Sequence, residues 1–216
     1  MKLGRQRFLM GVLAASLLLG CDRGVDPLPA PSLLLIGDSR VDEWPVEGFT
    51  GWHVARRGLP GETSIGASSR LGDLMRELKP QKVVIFTGVN DLIPVGGYPE
   101  QKDELVDGAV DAIAGMATKA ESQGADVLVI CVLPGSHRAE NRASVWNQQV
   151  EQAVRELNAK LGPKLGSKFL DVQPELVDVD GYLKFDLTRD HLHLNSAGYA
   201  KLTAAVMKKL GPPSPK

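Results

Sequence analysis

The sequence predicts an α/β domain, a three-layer sandwich in which a parallel sheet of about five strands carries helices on both faces. Three observations lead there. From Ser32 to about Leu210, apolar runs alternate with segments of helical period, the pattern of successive βαβ units. The apolar runs are nearly unbroken, as expected of strands covered on both faces. The composition is ordinary globular usage, with 43% hydrophobic and 24% charged residues in a chain of 216. Lys+Arg 25 against Asp+Glu 26 leaves a net charge of −1, which offers no basic footprint for nucleic acid. Two cysteines cannot build a disulfide framework.

The first segment stands outside this pattern. In residues 1–20, Lys2, Arg5 and Arg7 precede an apolar run from Phe8 to Leu19, interrupted only by Gly11 and Ser16. That run falls short of the ~20 apolar residues of a membrane span and fits a secretory signal. It ends in Leu18-Leu19-Gly20-Cys21, which resembles a bacterial lipobox. The resemblance implies cleavage before Cys21, lipidation of that cysteine and anchoring to a membrane on the periplasmic side of the cell envelope. Several acyl chains bury enough CH₂ groups for durable attachment. Asp22 resembles an inner-membrane retention signal. Loss of residues 1–20 removes three cations and no anions, taking the net charge from −1 to −4. Residues 21–31 then form a polar, Pro-rich tether without periodicity. One domain is expected over 32–211, with a short tail at 212–216.

Within the domain, Leu33 to Ile36 is the first strand, closed by Gly37, and Trp52 to Arg56 is a weaker strand candidate. Ile65, Leu71, Leu74, Met75 and Leu78 recur at helical spacing up to Lys79-Pro80, with Thr63 or Ser64 as N-cap. A strand over Lys82–Phe86 and a Gly/Pro-rich loop lead to a helix through Leu105, Val106, Ala109, Val110, Ile113 and Met116, ending before Gly124. Strand Ala125–Leu133 contains Cys131, which reads as a buried packing thiol. After the polar Pro134–Asn141 loop, Val145, Trp146, Val150, Val154, Leu157 and Leu161 mark a helix. A short strand over Lys168–Val172 follows. The last helix opens at Asn195 or Ser196 and stops before Gly211.

Ligands of open α/β sheets bind beyond the carboxyl ends of the strands. Four short motifs stand there in order. Gly37-Asp38-Ser39 follows the first strand, where glycine permits a sharp turn, and serine is a nucleophile that needs a neighbouring base. Arg57-Gly58-Leu59-Pro60-Gly61-Glu62-Thr63 is a Gly-rich loop. Gly88-Val89-Asn90-Asp91 follows the third strand and offers a side-chain amide. Asp190-His191-Leu192-His193 supplies a base with a carboxylate close enough to fix its tautomer.

Each motif alone is weak, and the three that contain glycine also read as ordinary turns. Together they resemble the SGNH (GDSL-type) hydrolase family over Leu33 to about Leu210, essentially the whole domain. The resemblance implies a flavodoxin-like sheet and a serine esterase working through an acyl-Ser39 intermediate. It assigns Ser39 as nucleophile, His193 as base and Asp190 as its partner. It also implies an oxyanion hole from the Ser39 and Gly61 N–H groups and the Asn90 amide, with no cofactor. The implied substrate is a small-molecule, glycan or lipid ester: a carbohydrate O-acetyl group, a lysophospholipid or a thioester. Arg40 departs from the leucine of the motif, at a position the chemistry does not require. Arg56 and Arg57 stand where many members have asparagine.

Other readings compete. His191 and His193 with Asp186 and Asp190 are the residue types of a zinc site, but no further cluster completes a ligand set, and no metal is expected. His53 and His137 read as surface or loop residues, with His137 on a crevice loop within reach of substrate. Trp44, Trp52, Tyr98 and Trp146 are the aromatic candidates for a binding wall. Trp44 is expected to border an acyl pocket and Trp146 to pack in the core. A catalytically inactive, membrane-tethered glycan-binding lipoprotein is the reading from another functional class.

Overall fold

Strand β1 (Leu33–Gly37) is buried at every position, and alternate residues feed two different cores. Leu34 and Ile36 face one, Leu33 and Leu35 the other. The structure, a computed structural model, describes residues 32–137 and 146–213. The leader, Cys21, Asp22 and the tether lie outside them, as do Val145, the loop beyond His137 and the last three residues of the tail.

After β1 come α1 (Ser39–Asp42), β2 (Val54–Gly58), α2 (Ser64–Leu78), β3 (Lys82–Phe86) and α3 (Val89–Leu92). Then follow α4 (Lys102–Ser122), β4 (Asp126–Ile130), α5 (Gln148–Leu165), β5 (Phe169–Leu170), α6 (Gln173–Leu176) and α7 (Ser196–Leu210). The strand order is β2-β1-β3-β4-β5 and every pairing is parallel. The expected five-stranded, doubly covered sheet is the one observed. On one face α2, α4 and α5 bury Leu71, Ile113 and Leu157. On the other, α7 and the residues around α1 bury Leu202, Val206, Val41 and Trp44.

Caps fall where the polar residues allow. Thr63 caps α2 through Gly66 N–H, and Asn195 caps α7 through Gly198 N–H. Four expectations shift. β2 begins at Val54, because pairing with β1 sets its register and Trp52 packs into the core ahead of it. The Ala125–Leu133 run stays buried to its end, yet the ladder stops at Ile130. Beyond it the Asn158 side chain plays the part of a neighbouring strand: its Nδ2 donates to Val132 O and its Oδ1 accepts from Val132 N–H, both at 2.8 Å. Trp146 is buried as expected but precedes its helix, because Asn147 caps α5 through Gln149 and Val150 N–H. The Lys168–Val172 strand shortens to two residues, and Val172 N–H points at the sulfur of buried Cys131.

The sheet has a distinct floor and roof. At the floor, Ser32 accepts from His53 N–H through Oγ and from Gln81 and Lys82 N–H through its carbonyl, and Lys82 Nζ reaches Leu210 O. At the roof, the carboxyl ends of β1, β2 and β3 present the three Gly-containing motifs.

Candidate active site

Ser39 is the first residue of α1, two residues beyond Gly37, which ends the interior strand β1. The turn depends on Gly37, since a Cβ there would stand 1.8 Å from Phe86 O and 2.8 Å from Val41 Cγ2. Asp38 caps the helix, its Oδ1 accepting from Arg40 N–H at 2.9 Å. Burial drives the Asp38 carboxyl up to about 6, against the opposing pull of the Arg40 charge and N–H.

The opposite wall is the loop between Thr188 and Leu194, closed by an isolated antiparallel bridge between those two residues and by Arg189 N–H donating to His193 O. Inside it His191 adopts φ +72°, a left-handed conformation disfavoured for a side-chain-bearing residue. The loop brings His193 to Ser39, with Oγ and Nε2 3.0 Å apart. Its Nδ1 meets Asp190 Oδ2 at 2.7 Å. Asp190 Oδ1 accepts from His193 N–H at 2.8 Å and Leu192 N–H at 3.2 Å. Partial burial pushes the Asp190 carboxyl up. The His193 backbone bond, the His193 ring and its charge, and the Leu192 N–H outweigh that and hold it at about 2. The carboxylate therefore stays ionised and keeps a proton on Nδ1, leaving Nε2 to accept from the Ser39 hydroxyl.

The two remaining motifs meet at the roof. Gly61 has φ +76°, a conformation that favours glycine and sets its own N–H orientation. Asn90 Nδ2 donates to Glu62 O at 2.9 Å, tying the third motif to the second. Below it, Asp91 accepts from Ser64 N–H at 2.8 Å and Ser64 Oγ at 2.7 Å, fixing the start of α2 against α3. These are the residues the sequence singled out, brought together from four segments.

The sequence profile of the GDSL-like Lipase/Acylhydrolase family matches residues 35–201, which hold all four motifs. The chain belongs to this family. Among curated proteins it is 31% identical over 185 residues to platelet-activating factor acetylhydrolase IB subunit alpha1 of Rattus norvegicus, covering 82% of this chain and 73% of that protein. Among solved structures, a GDSL-like lipase from Bacteroides thetaiotaomicron superposes with TM-score 0.67 at 23% identity, covering 82% of this chain and 85% of that one. A catalytic mutant of an acetylxylan esterase from Geobacillus stearothermophilus gives TM-score 0.58 at 19% identity, over 83% and 93%. Both structures share the fold. The chain is thus a GDSL-type hydrolase with the fold the motifs imply.

Two positions in this hydrolase differ from what the sequence predicts. Trp44, expected at an acyl pocket, is fully buried; its Nε1 donates to Thr203 Oγ1 at 2.8 Å, and it packs on Phe49, Phe86 and Tyr199. Its five-residue separation from Ser39 is spent turning α1 back over the sheet. Arg40, read as dispensable, is buried at 1% exposure and donates to two carbonyls of other segments. Arg70 was missed altogether. It holds Glu62 with Nε to Oε1 at 2.8 Å and Nη2 to Oε2 at 2.6 Å, and Nη2 also reaches Gly37 O and Arg57 O. Arginine on a helix otherwise reads as solvated, so nothing in the spacing marked it.

The histidines of the zinc alternative have other partners. His193 faces Ser39 and Asp190, while His191 Nδ1 lies 2.9 Å from Ser136 Oγ. His137 is half-exposed, its ring tilted 32° against Tyr182 with centroids 3.8 Å apart, and near Asp178 and Asp180. Among the described residues these three form a possible ligand group, and it contains no residue of the four motifs.

Proposed function

We propose that Ser39, His193 and Asp190 form a catalytic triad that hydrolyses short-chain carboxylic esters, acetyl esters above all, through an acyl-Ser39 intermediate. The observation that carries this is the Ser39–His193–Asp190 chain of contacts at 3.0 and 2.7 Å. Ser39 Oγ attacks the ester carbonyl carbon as its proton passes to His193 Nε2. Asp190 stabilises the imidazolium. The negative oxygen is held by Ser39 N–H, Gly61 N–H and the second N–H of Asn90 Nδ2, the first being taken by Glu62 O. The tetrahedral intermediate expels the alkoxide, which takes the proton from His193. Water then attacks the acyl-enzyme, giving its proton to Nε2, and collapse releases the carboxylic acid and restores Ser39. No cofactor enters these steps.

The acetyl preference is supported by the curated relative, an acetylhydrolase of platelet-activating factor by its name. We further propose that the alcohol part is a carbohydrate or a lysophospholipid-like glycerol. Thioesters are the less favoured substrates, since the relatives are named an acetylhydrolase and an acetylxylan esterase. For location, the basic n-region and Leu-Leu-Gly-Cys support a lipoprotein anchored at Cys21 in the cell envelope, with Asp22 favouring the inner membrane.

The deciding experiment measures acetate release from acetylated xylan and from an sn-2 acetyl phospholipid, beside p-nitrophenyl esters of rising chain length. Activity highest on two-carbon esters and abolished in Ser39→Ala supports the reading. A folded wild type that neither turns over these esters nor reacts with a fluorophosphonate probe would instead favour a glycan-binding lipoprotein. Palmitate labelling that disappears in Cys21→Ala tests the anchor; equal labelling of both proteins sinks it.

A further inference from the structure

Arg40 is the residue after Ser39, and its guanidinium is spent on backbone carbonyls. Nη1 donates to Leu133 O at 3.0 Å and Nη2 to Leu192 O at 3.2 Å. Nε is buried with no partner among the described residues. The guanidinium carbon lies 5.8 Å from the centre of the Phe86 ring. Placing a cation here is costly, because burial removes its hydration and neither hydrogen-bonded acceptor carries a full opposite charge. An apolar side chain would fill the same volume without that cost.

The two acceptors explain what the charge does. Leu192 directly precedes His193, and Leu133 lies in the buried run after β4 from which the Gly135–Ser136 loop departs. Arg40 directly follows Ser39. One rigid fork therefore joins the nucleophile turn to the loop that carries the base, one residue away from each partner. That loop cannot hold its shape by itself at no cost: the left-handed backbone of His191 opposes it by about 1–2 kcal/mol. External ties compensate, among them Ser136 N–H to His191 O, Ser136 Oγ to His191 Nδ1, the Arg189–Glu43 pair and Arg40. Of these, Arg40 is the one that starts at the residue next to Ser39. The turn is itself fixed from behind, where the Tyr199 hydroxyl donates to Arg40 O at 2.8 Å.

We propose that Arg40 is a positioning residue that sets the Ser39 Oγ–His193 Nε2 separation by clamping the two loops through Leu192 O. This rests on the triad reading above. Lysine has one point of donation and cannot span both carbonyls as the planar fork does. Methionine fills the volume and spans neither.

The test compares wild type, Arg40→Met, Arg40→Lys and Ser39→Ala, using p-nitrophenyl acetate turnover, the rate of fluorophosphonate labelling and thermal unfolding. Proton transfer is sensitive to sub-ångström placement, so kcat and the labelling rate should fall about 10–100-fold in Arg40→Met with KM within twofold. Arg40→Lys should lie between it and wild type. A purely packing role would instead lower the unfolding temperature and leave kcat intact in the folded fraction. Folded Arg40→Met with kcat within threefold of wild type overturns the proposal, as does a loss that falls on KM alone. If Arg40→Met does not fold, wild-type kcat in folded Arg40→Lys overturns it equally. A folded wild type that is not labelled, or labelling retained in Ser39→Ala, removes the triad reading and this inference with it.

Discussion

Asp190→Asn probes the site with the least change of shape. In the structure Oδ1 accepts two backbone N–H groups, at 2.8 and 3.2 Å, while Oδ2 faces His193 Nδ1 at 2.7 Å. An asparagine has only one acceptor oxygen, and the two N–H donors claim it. Its NH₂ then points at Nδ1, which must become the acceptor, so the ring proton moves to Nε2. His193 now donates to Ser39 Oγ instead of accepting from it, and the nucleophile loses its base. The expected loss in kcat is about 10⁴-fold with little change in KM. That corresponds to roughly 5.4 kcal/mol of transition-state stabilisation, at ~1.36 kcal/mol per tenfold.

Stability should respond through a separate channel. Asp190 is held at about 2, below its ordinary 3.8, so its contribution is present above the ordinary value and lost as pH falls through 2. Because about a third of the side chain (31%) is exposed, that contribution is discounted to about 1 kcal/mol. Steady-state kinetics on p-nitrophenyl acetate, beside denaturation curves between pH 5 and 2, read both effects. A variant that keeps its fold and loses less than tenfold in kcat would refute the tautomer argument.

Asn90→Ala removes the proposed oxyanion donor and the tie to Glu62 O, and kcat should drop about 10²–10³-fold, about 2.7–4 kcal/mol; a loss confined to KM would speak against the role. Between its ordinary 3.8 and its folded value of about 6, Asp38 takes up a proton on folding. The stability it contributes is complete below 3.8 and disappears as pH rises through 6, by on the order of 1–3 kcal/mol. Urea denaturation from pH 4 to 7 should show this decline in wild type and its absence in Asp38→Asn. Trp44→Phe loses the bond to Thr203 and part of a buried ring, and should cost about 1–3 kcal/mol in stability. The acyl-chain preference measured on p-nitrophenyl esters should not move.

The fold was legible because burial on both faces leaves a simple signature, as in Leu33–Ile36 and Val83–Phe86, where every second residue enters a different core. Strand ends were less so. The buried run through Leu133 does not tell where the ladder gives way to the Asn158 amide, since hydrophobicity reports burial and not the identity of the hydrogen-bond partner. In the site, the residues named by short motifs were those brought together, because nucleophile, base and amide each have a distinctive residue type. The supports were hidden. Arg40 and Arg70 act through backbone carbonyls, and a carbonyl leaves no mark in the sequence. Trp44 is near Ser39 in the chain but lies in the core, bonded to Thr203 and packed on Tyr199, because a short helix and turn separate the two.

The position of Ser32 gives the domain a directional character. The chain enters at the floor of the sheet, among His53, Gln81 and Lys82, while Ser39 stands at the roof after a single crossing of β1. One strand of five residues separates the point of entry from the hydroxyl. At about 3.3 Å per residue, that is roughly 17 Å. Whatever is attached ahead of Ser32 pulls from below, along the axis of an interior strand and against its two parallel hydrogen-bonded neighbours, β2 and β3. The domain therefore behaves as a lamp on its stand: the fixture and the working end look in opposite directions. Immobilising the protein by its N-terminal side should leave the crevice facing the solution.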